Sequence, residues 1–241
     1  MSVYCFDLDG TILFNEACGE VIYESSILLI SELKKQNHIL VLLTGRMRID
    51  TNSYKHILKY FDYVVFLNGA LIYHKNKLIV SKPFPKQKLN EIVTDVKNDF
   101  LIFSSINKTH SLYPKEELVS SFPRYSCFYQ NYRFIPKKKI YSVSILDYTN
   151  DLSHIKDISI YAWKRGGAHI LYNANKADIM KIFLHETFIS IGDGINDFEL
   201  LAQSNISITF DDSCQALRDI ANYIVLDKKN LFIFYKEKGL V

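Results

Sequence analysis

At 241 residues, 48% hydrophobic and 23% charged, the chain has an ordinary globular composition and is long enough for one good-sized core or a core plus a smaller domain. A formal net charge of +3 is too weak to argue for nucleic acid, and no apolar stretch is long enough to span a bilayer. Cys5, Cys18, Cys127 and Cys214 show neither CxxC spacing nor a disulfide framework, so a reducing, cytoplasmic setting is the default expectation.

The first element is an apolar strand, Tyr4-Cys5-Phe6, that stops at Asp7-Leu8-Asp9-Gly10-Thr11. A signal peptide would be apolar here. If strand geometry persists through Leu8, Asp7 and Asp9 face one spot, because positions i and i+2 point the same way. Two like charges so close need a cation or a shared proton, and hard oxygen ligands suit Mg2+. Gly19 to Gln36 carries Val21, Ile22, Ile27, Leu28, Ile30 and Leu33 at helical spacing. His38 to Thr44 reads as a strand buried on both faces. A second helix is expected over Ile49 to Tyr60, and a third apolar run, Tyr63 to Leu67, closes at Asn68-Gly69.

From Ala70 the character changes. Leu71-Ile72-Tyr73 and Leu78-Ile79-Val80 read as a hairpin, followed by a helix over Lys86 to Asn98. Strand-like segments follow at Phe100 to Ser105, Ile140 to Leu146 and Ile158 to Trp163. Lys137-Lys138-Lys139 is read as a solvated strand entry, with attraction of an anionic substrate as the minority reading. Arg165-Gly166-Gly167 is the expected return to the first domain, since paired glycines permit a bend.

Lys176 to His185 then has helical spacing, and Phe188 to Ile191 is a short strand ending in Gly192-Asp193-Gly194, with a helix from about Asn196. Ile206 to Phe210 is a strand, Ser213 to Asn222 a helix, and Tyr223 to Leu226 a last strand before a terminal helix. The pattern predicts an α/β fold. Its Rossmann-like parallel sheet core, with helices on both faces, occupies 1–78 and 166–241, and an α+β module is inserted at 79–165. Ligands of such sheets bind beyond the carboxyl ends of the strands, where Asp7, Asp9, Thr44 and Asn68 fall.

Singly these motifs differ in strength. Thr44-Gly45-Arg46 fits any helix N-cap, and an isolated Lys176 is more often a surface residue. Asp-x-Asp-Gly-Thr and Gly192-Asp193-Gly194-Ile195-Asn196-Asp197 are more specific, because acids clustered at the ends of apolar strands destabilise a fold that holds no cation. Their order along the chain resembles the haloacid dehalogenase superfamily of phosphohydrolases, in its Cof-type branch. Its signatures are a DxDGT strand end, a later Thr or Ser, a Lys and a GDGxND turn. The resemblance covers both core segments and implies that 79–165 is a C2-type cap domain of the C2B kind.

The resemblance implies an Mg2+-dependent phosphatase acting on a small phosphorylated metabolite. Asp7 would be the nucleophile, forming an aspartyl-phosphate, and Asp9 the acid/base. Thr44 and Lys176 would hold phosphoryl oxygens. The metal would be held by Asp7, the Asp9 carbonyl and Asp193, with Asp197 supporting the shell and orienting Lys176. Thr44, Gly45, Asn68, Lys176 and Asn196 are the candidate substrate contacts, with Arg46 a weaker one. Asn68-Gly69 reads equally as a plain turn, and Arg46 as a structural salt bridge. Two features depart from the family: the segment 205–212 lacks the usual glycine and small-residue loop, and the cap is compact. Phosphomutase-type transfer and a non-catalytic phosphometabolite-binding protein are the alternatives, and monomer and homodimer are both open.

Overall fold

The computed structural model describes residues 1–96, 100–112, 131–132, 135–146, 151–162 and 166–241. Cys127, Trp163, Arg165 and the end of the expected helix at Asn98 lie outside them.

Sixteen strands form three sheets among the described residues. In chain order they are β1 (Ser2–Asp7), β2 (Leu13–Glu16), β3 (Gly19–Ile22), β4 (Ile39–Leu43), β5 (Tyr63–Phe66), β6 (Leu71–His74), β7 (Lys77–Ser81) and β8 (Leu101–Ser104). Then come β9 (Thr109–Leu112), β10 (Asn131–Tyr132), β11 (Ser142–Ile145), β12 (Ile158–Ala162), β13 (Ala168–Tyr172), β14 (Thr187–Ile191), β15 (Ile206–Phe210) and β16 (Tyr223–Val225).

The main sheet has the order β16-β15-β14-β1-β4-β5-β6-β7. It is parallel from β16 to β5, and β6 and β7 add an antiparallel edge. Its central strands are apolar throughout because both faces are covered. On one face Tyr4, Phe6, Leu40 and Leu42 pack with Leu29, Ile30 and Leu33 of the helix Glu24–Lys35 and with Leu231 and Tyr235 of Leu231–Glu237. On the other, Val3, Cys5, Val41 and Leu43 pack with Ala177, Ile179 and Leu200. Each such fully buried side chain contributes about 1.5–3 kcal/mol of transfer free energy.

The second sheet, β10-β9-β8-β11-β13-β12, packs with the helix Lys86–Asp95 around Leu89, Ile92, Phe103, Val143 and Ile170. Tyr141, Tyr161 and Leu171 of this unit meet Phe66, Leu71 and Tyr73 of the main sheet, joining the two.

Four expectations change. The predicted helix over Gly19 to Gln36 begins only at Glu24, and Gly19–Ile22 instead pairs with Leu13–Glu16 as a hairpin. Val21 and Ile22 fit a helical period by coincidence. The return to the core does not fall at 166, because Ala168–Tyr172 pairs with both β11 and β12 in the second sheet. Arg48–Tyr54 is a 3-10 helix leading into a single α-turn, Lys55–Leu58, and Lys176–Ile182 is likewise 3-10 rather than α. Strand ends, set by long apolar runs, were more legible than these short helices.

Candidate active site

The carboxyl ends of β1, β4 and β14 meet at one place in the middle of the main sheet. After Asp7 the chain bends at Leu8, whose N–H donates to Leu43 O at 3.1 Å and ties the turn to β4. Gly10 has φ +84°, and a Cβ on it would lie 2.3 Å from Asp193 Oδ2. Thr11 Oγ1 donates to Asp193 Oδ1 at 3.4 Å. The turn after β1 and the turn after β14 are thus packed face to face, and the first requires glycine.

Asp7, Asp193 and Asp197 each bring a carboxylate oxygen within 4.8 Å of the others. Lys176 Nζ donates to Asp7 Oδ1 and, at 2.7 Å, to Asp197 Oδ1. Lys176 and Asp197 are fully buried and Asp7 nearly so. Asp197 Oδ2 also accepts from Gly194 N at 3.1 Å, and Gly192 passes so close to Asp197 that a Cβ would sit 2.4 Å from Cγ.

The electrostatics follow from this crowding. Burial drives the Asp7 carboxyl upward; Lys176 pulls it down, but repulsion from Asp197, Asp193 and Asp9 leaves it well above its ordinary range. Burial and then Asp197 push Asp193 up to about 6, against the pull of Lys176, Lys228 and a hydrogen bond with Asp7. Burial works against the Lys176 ammonium, yet Asp197 and Asp7 outweigh it and hold its pKa above normal. Three converging carboxylates against one ammonium leave a surplus of negative charge on hard oxygen donors. That donor set fits a divalent cation such as Mg2+.

Asp9 goes elsewhere. Because the chain leaves extended geometry at Leu8, the i, i+2 rule fails, and the Asp9 carboxylate does not join the cluster of Asp7, Asp193 and Asp197. Arg46 Nε donates to both Asp9 oxygens at 2.9 Å, and Nη2 donates to Oδ1. Thr44 Oγ1 stands 3.5 Å from Asp9 Oδ2 and accepts from Arg46 N at 3.0 Å. Only the backbone carbonyl of Asp9 remains as its expected donor to a metal.

Asn68, in the left-handed region at φ 48°, donates from its N–H to Thr44 O at 3.0 Å. Its Oδ1 accepts from Asn196 Nδ2 at 3.0 Å, and Gly45 lies against its side chain. Asn68 is therefore a turn residue that also links the ends of β4, β5 and β14. Thr44, Gly45, Asn68 and Asn196 form the site's other wall.

Sequence reasoning missed two residues. Glu20 Oε1, on β3, accepts from Arg46 Nη2 at 2.6 Å, and the Tyr54 hydroxyl donates to Glu20 Oε2. Neither had a signal: Glu20 fell in a segment read as helix, and its partner lies 26 positions away. Between the sheets, Gly45, Arg46 and Asp50 face Ser104, Lys108 and His169 across a cavity of about 40 Å3.

A family model for haloacid dehalogenase-like hydrolases matches residues 4–231. The chain is 20% identical over 98% of its length to YkrA, a provisionally named phosphatase of Bacillus subtilis (strain 168), covering 97% of that protein. The solved structure of BT1666, a phosphatase from Bacteroides thetaiotaomicron, superposes with a TM-score of 0.84 at 17% identity, covering 100% of this chain and 96% of that one. The subclass IIB sugar phosphatase BT4131 gives 0.81 at 18% identity, with 100% of each chain covered. These two likenesses concern the fold. No helix among the described residues is long and apolar enough to cross a membrane. With the family model spanning the site from Asp7 to Asp197, the chain belongs to the haloacid dehalogenase-like hydrolase family, in its Cof-type branch, and is a phosphohydrolase.

Proposed function

We propose that the chain is an Mg2+-dependent phosphatase of small phosphorylated metabolites, sugar phosphates or similar phosphomonoesters, working in a reducing, cytoplasmic setting. The convergence of Asp7, Asp193 and Asp197 around Lys176 carries the reading. Bound between Asp7, Asp193 and the Asp9 carbonyl, Mg2+ would neutralise phosphoryl oxygens that the acids would otherwise repel.

Asp7 is the nucleophile. A carboxylate oxygen of Asp7 attacks phosphorus, the bond to the leaving oxygen breaks, and an aspartyl-phosphate results. In its protonated form, with Arg46 keeping hold of one oxygen only, Asp9 gives its proton to the leaving oxygen; the carboxylate then takes a proton from the water that attacks the aspartyl-phosphate and releases inorganic phosphate. Lys176 and the Thr44 hydroxyl hold the non-bridging oxygens as charge shifts. Asp197 fixes the Lys176 ammonium in place, and Asn196 and Asn68 contact the substrate.

The second sheet with the helix Lys86–Asp95 is the cap. Its bounds lie after Ser81 and before Ala174, in place of 79 and 165, a division supported by the pairing of β8 to β13 in one sheet. Lys108 and His169 line the inter-sheet cavity with polar groups, which supports a hydroxyl-bearing leaving group.

The test is turnover of p-nitrophenyl phosphate and a panel of phosphomonoesters by the purified chain. Activity should need Mg2+, vanish in EDTA and be lost in Asp7→Asn. Metal-independent turnover, or full activity in Asp7→Asn, would overturn the reading.

A further inference from the structure

The proposed mechanism uses Asp9 but leaves its partners without a task. Arg46 is almost wholly buried, its side chain 5% exposed, whereas the carboxylates of Asp9 and Glu20 are 38% and 34% exposed. The fixed post of this trio is therefore the guanidinium, and the two acids reach down to it from the rim. Arg46 Nη2 is shared: it donates to Asp9 Oδ1 and, at 2.6 Å, to Glu20 Oε1. Tyr54 completes the frame, its ring 5.3 Å from the guanidinium carbon and its hydroxyl donating to Glu20.

We infer that Glu20, on the β2–β3 hairpin, is a positioning residue that sets, through Arg46, the orientation in which Asp9 meets the leaving oxygen. The inference rests on the phosphatase reading, in which Asp9 is the acid/base.

A buried guanidinium has a fixed fork of donors, so the place of its second carboxylate decides the plane it presents to the first. Nε and Nη2 grip both oxygens of Asp9 edge-on, a geometry that leaves little freedom to rotate. Without Glu20, the Arg46 fork loses the second carboxylate that fixes its plane, and its charge is drawn towards Asp9. Glu20 does not approach the cluster of Asp7, Asp193 and Asp197, so its removal leaves nucleophile and metal donors intact. Its effect should appear where proton delivery limits the rate.

The experiment compares Glu20→Gln and Glu20→Ala with the unmodified chain on two substrates. One is p-nitrophenyl phosphate, whose leaving group needs little protonation, and the other is a simple alkyl phosphate such as glycerol phosphate, which needs a proton to leave. The expected result is a fall in kcat of about ten-fold or more for the alkyl phosphate, less than three-fold for the aryl phosphate, and KM changed by less than two-fold for both. In an Arg46→Ala background the Glu20 substitutions should have no further effect, because Glu20 acts only through Arg46.

Equal losses on both substrates, no loss on either, or undiminished effects in the Arg46→Ala background overturn the role of Glu20. Should Glu20→Ala fail to fold, Glu20→Gln, which keeps the shape, and Tyr54→Phe, which frees Glu20 from one tether, give the same comparison. If the unmodified chain hydrolyses neither substrate, the phosphatase reading falls and this role with it. If it hydrolyses both and Asp9→Asn abolishes alkyl phosphate turnover, the reading stands whatever the Glu20 variants do.

Discussion

Asp197 accepts a hydrogen bond from Lys176 at 2.7 Å with neither side chain open to solvent. A buried ion pair of this kind contributes little net stability against an apolar pair, but removing one partner leaves the other charge stranded. Lys176 is shared with Asp7, so its loss strands two carboxylates in a site that already holds Asp193.

Lys176→Met should therefore lower stability by about 3–5 kcal/mol at neutral pH. It should also abolish turnover. Denaturant unfolding with EDTA measures the first, and Mg2+ should recover part of the loss by neutralising the stranded acids. An unchanged unfolding midpoint would contradict the pairing.

Asp7→Asn and Asp9→Asn should separate the two acids. Loss of the proposed nucleophile, Asp7, should cost at least about a thousand-fold in kcat on every substrate. Loss of the proposed acid/base, Asp9, should cost about 10²–10⁴-fold, and less for p-nitrophenyl phosphate than for an alkyl phosphate. Steady-state rates on both substrates decide this, and a uniform effect of Asp9→Asn would count against its proton-transfer role.

Stability without metal should fall as pH rises through the raised pKa of Asp193, about 6. The sign follows from linkage: a carboxyl raised in the fold binds protons more tightly there than when unfolded, so its contribution is complete below about pH 4 and lost above about 6. Asp7, raised chiefly by burial and by repulsion from its neighbouring carboxylates, adds a loss of the same sign. Mg2+ competes with those protons, so stabilisation by metal should grow with pH. Melting temperatures from pH 4 to 8, with Mg2+ or EDTA, should diverge towards high pH, and parallel curves would argue against a metal held by these acids.

Gly10→Ala should weaken the proposed metal site more than the fold. The left-handed φ of +84° costs a side chain about 1–2 kcal/mol, and the new methyl would displace the Asp193 carboxylate. Half-maximal Mg2+ for turnover should rise about ten-fold or more, while thermal stability in EDTA changes modestly. An unaltered Mg2+ requirement would mean that Asp193 is not a ligand.

The chain order by itself determined the sheet and the strand ends at which most of the candidate site residues lie. Continuous apolar runs at Tyr4 to Phe6, His38 to Leu43 and Phe188 to Ile191 can be satisfied only by strands covered on both faces, and the residues that end them must lie at one edge. The sequence therefore suffices to put Asp7, Thr44 and Asp193 at that edge. Tertiary structure decided what local pattern does not encode. Gly166-Gly167 looked like a return to the core, yet Ala168–Tyr172 joins the second sheet, because strand pairing depends on partners distant in sequence. The bend at Leu8 turned Asp9 away from Asp7, and only the fold could bring Arg46, Glu20 and Tyr54 around it. Periodicity reports which face of an element is buried; it does not report which charged side chain will be waiting on the other side.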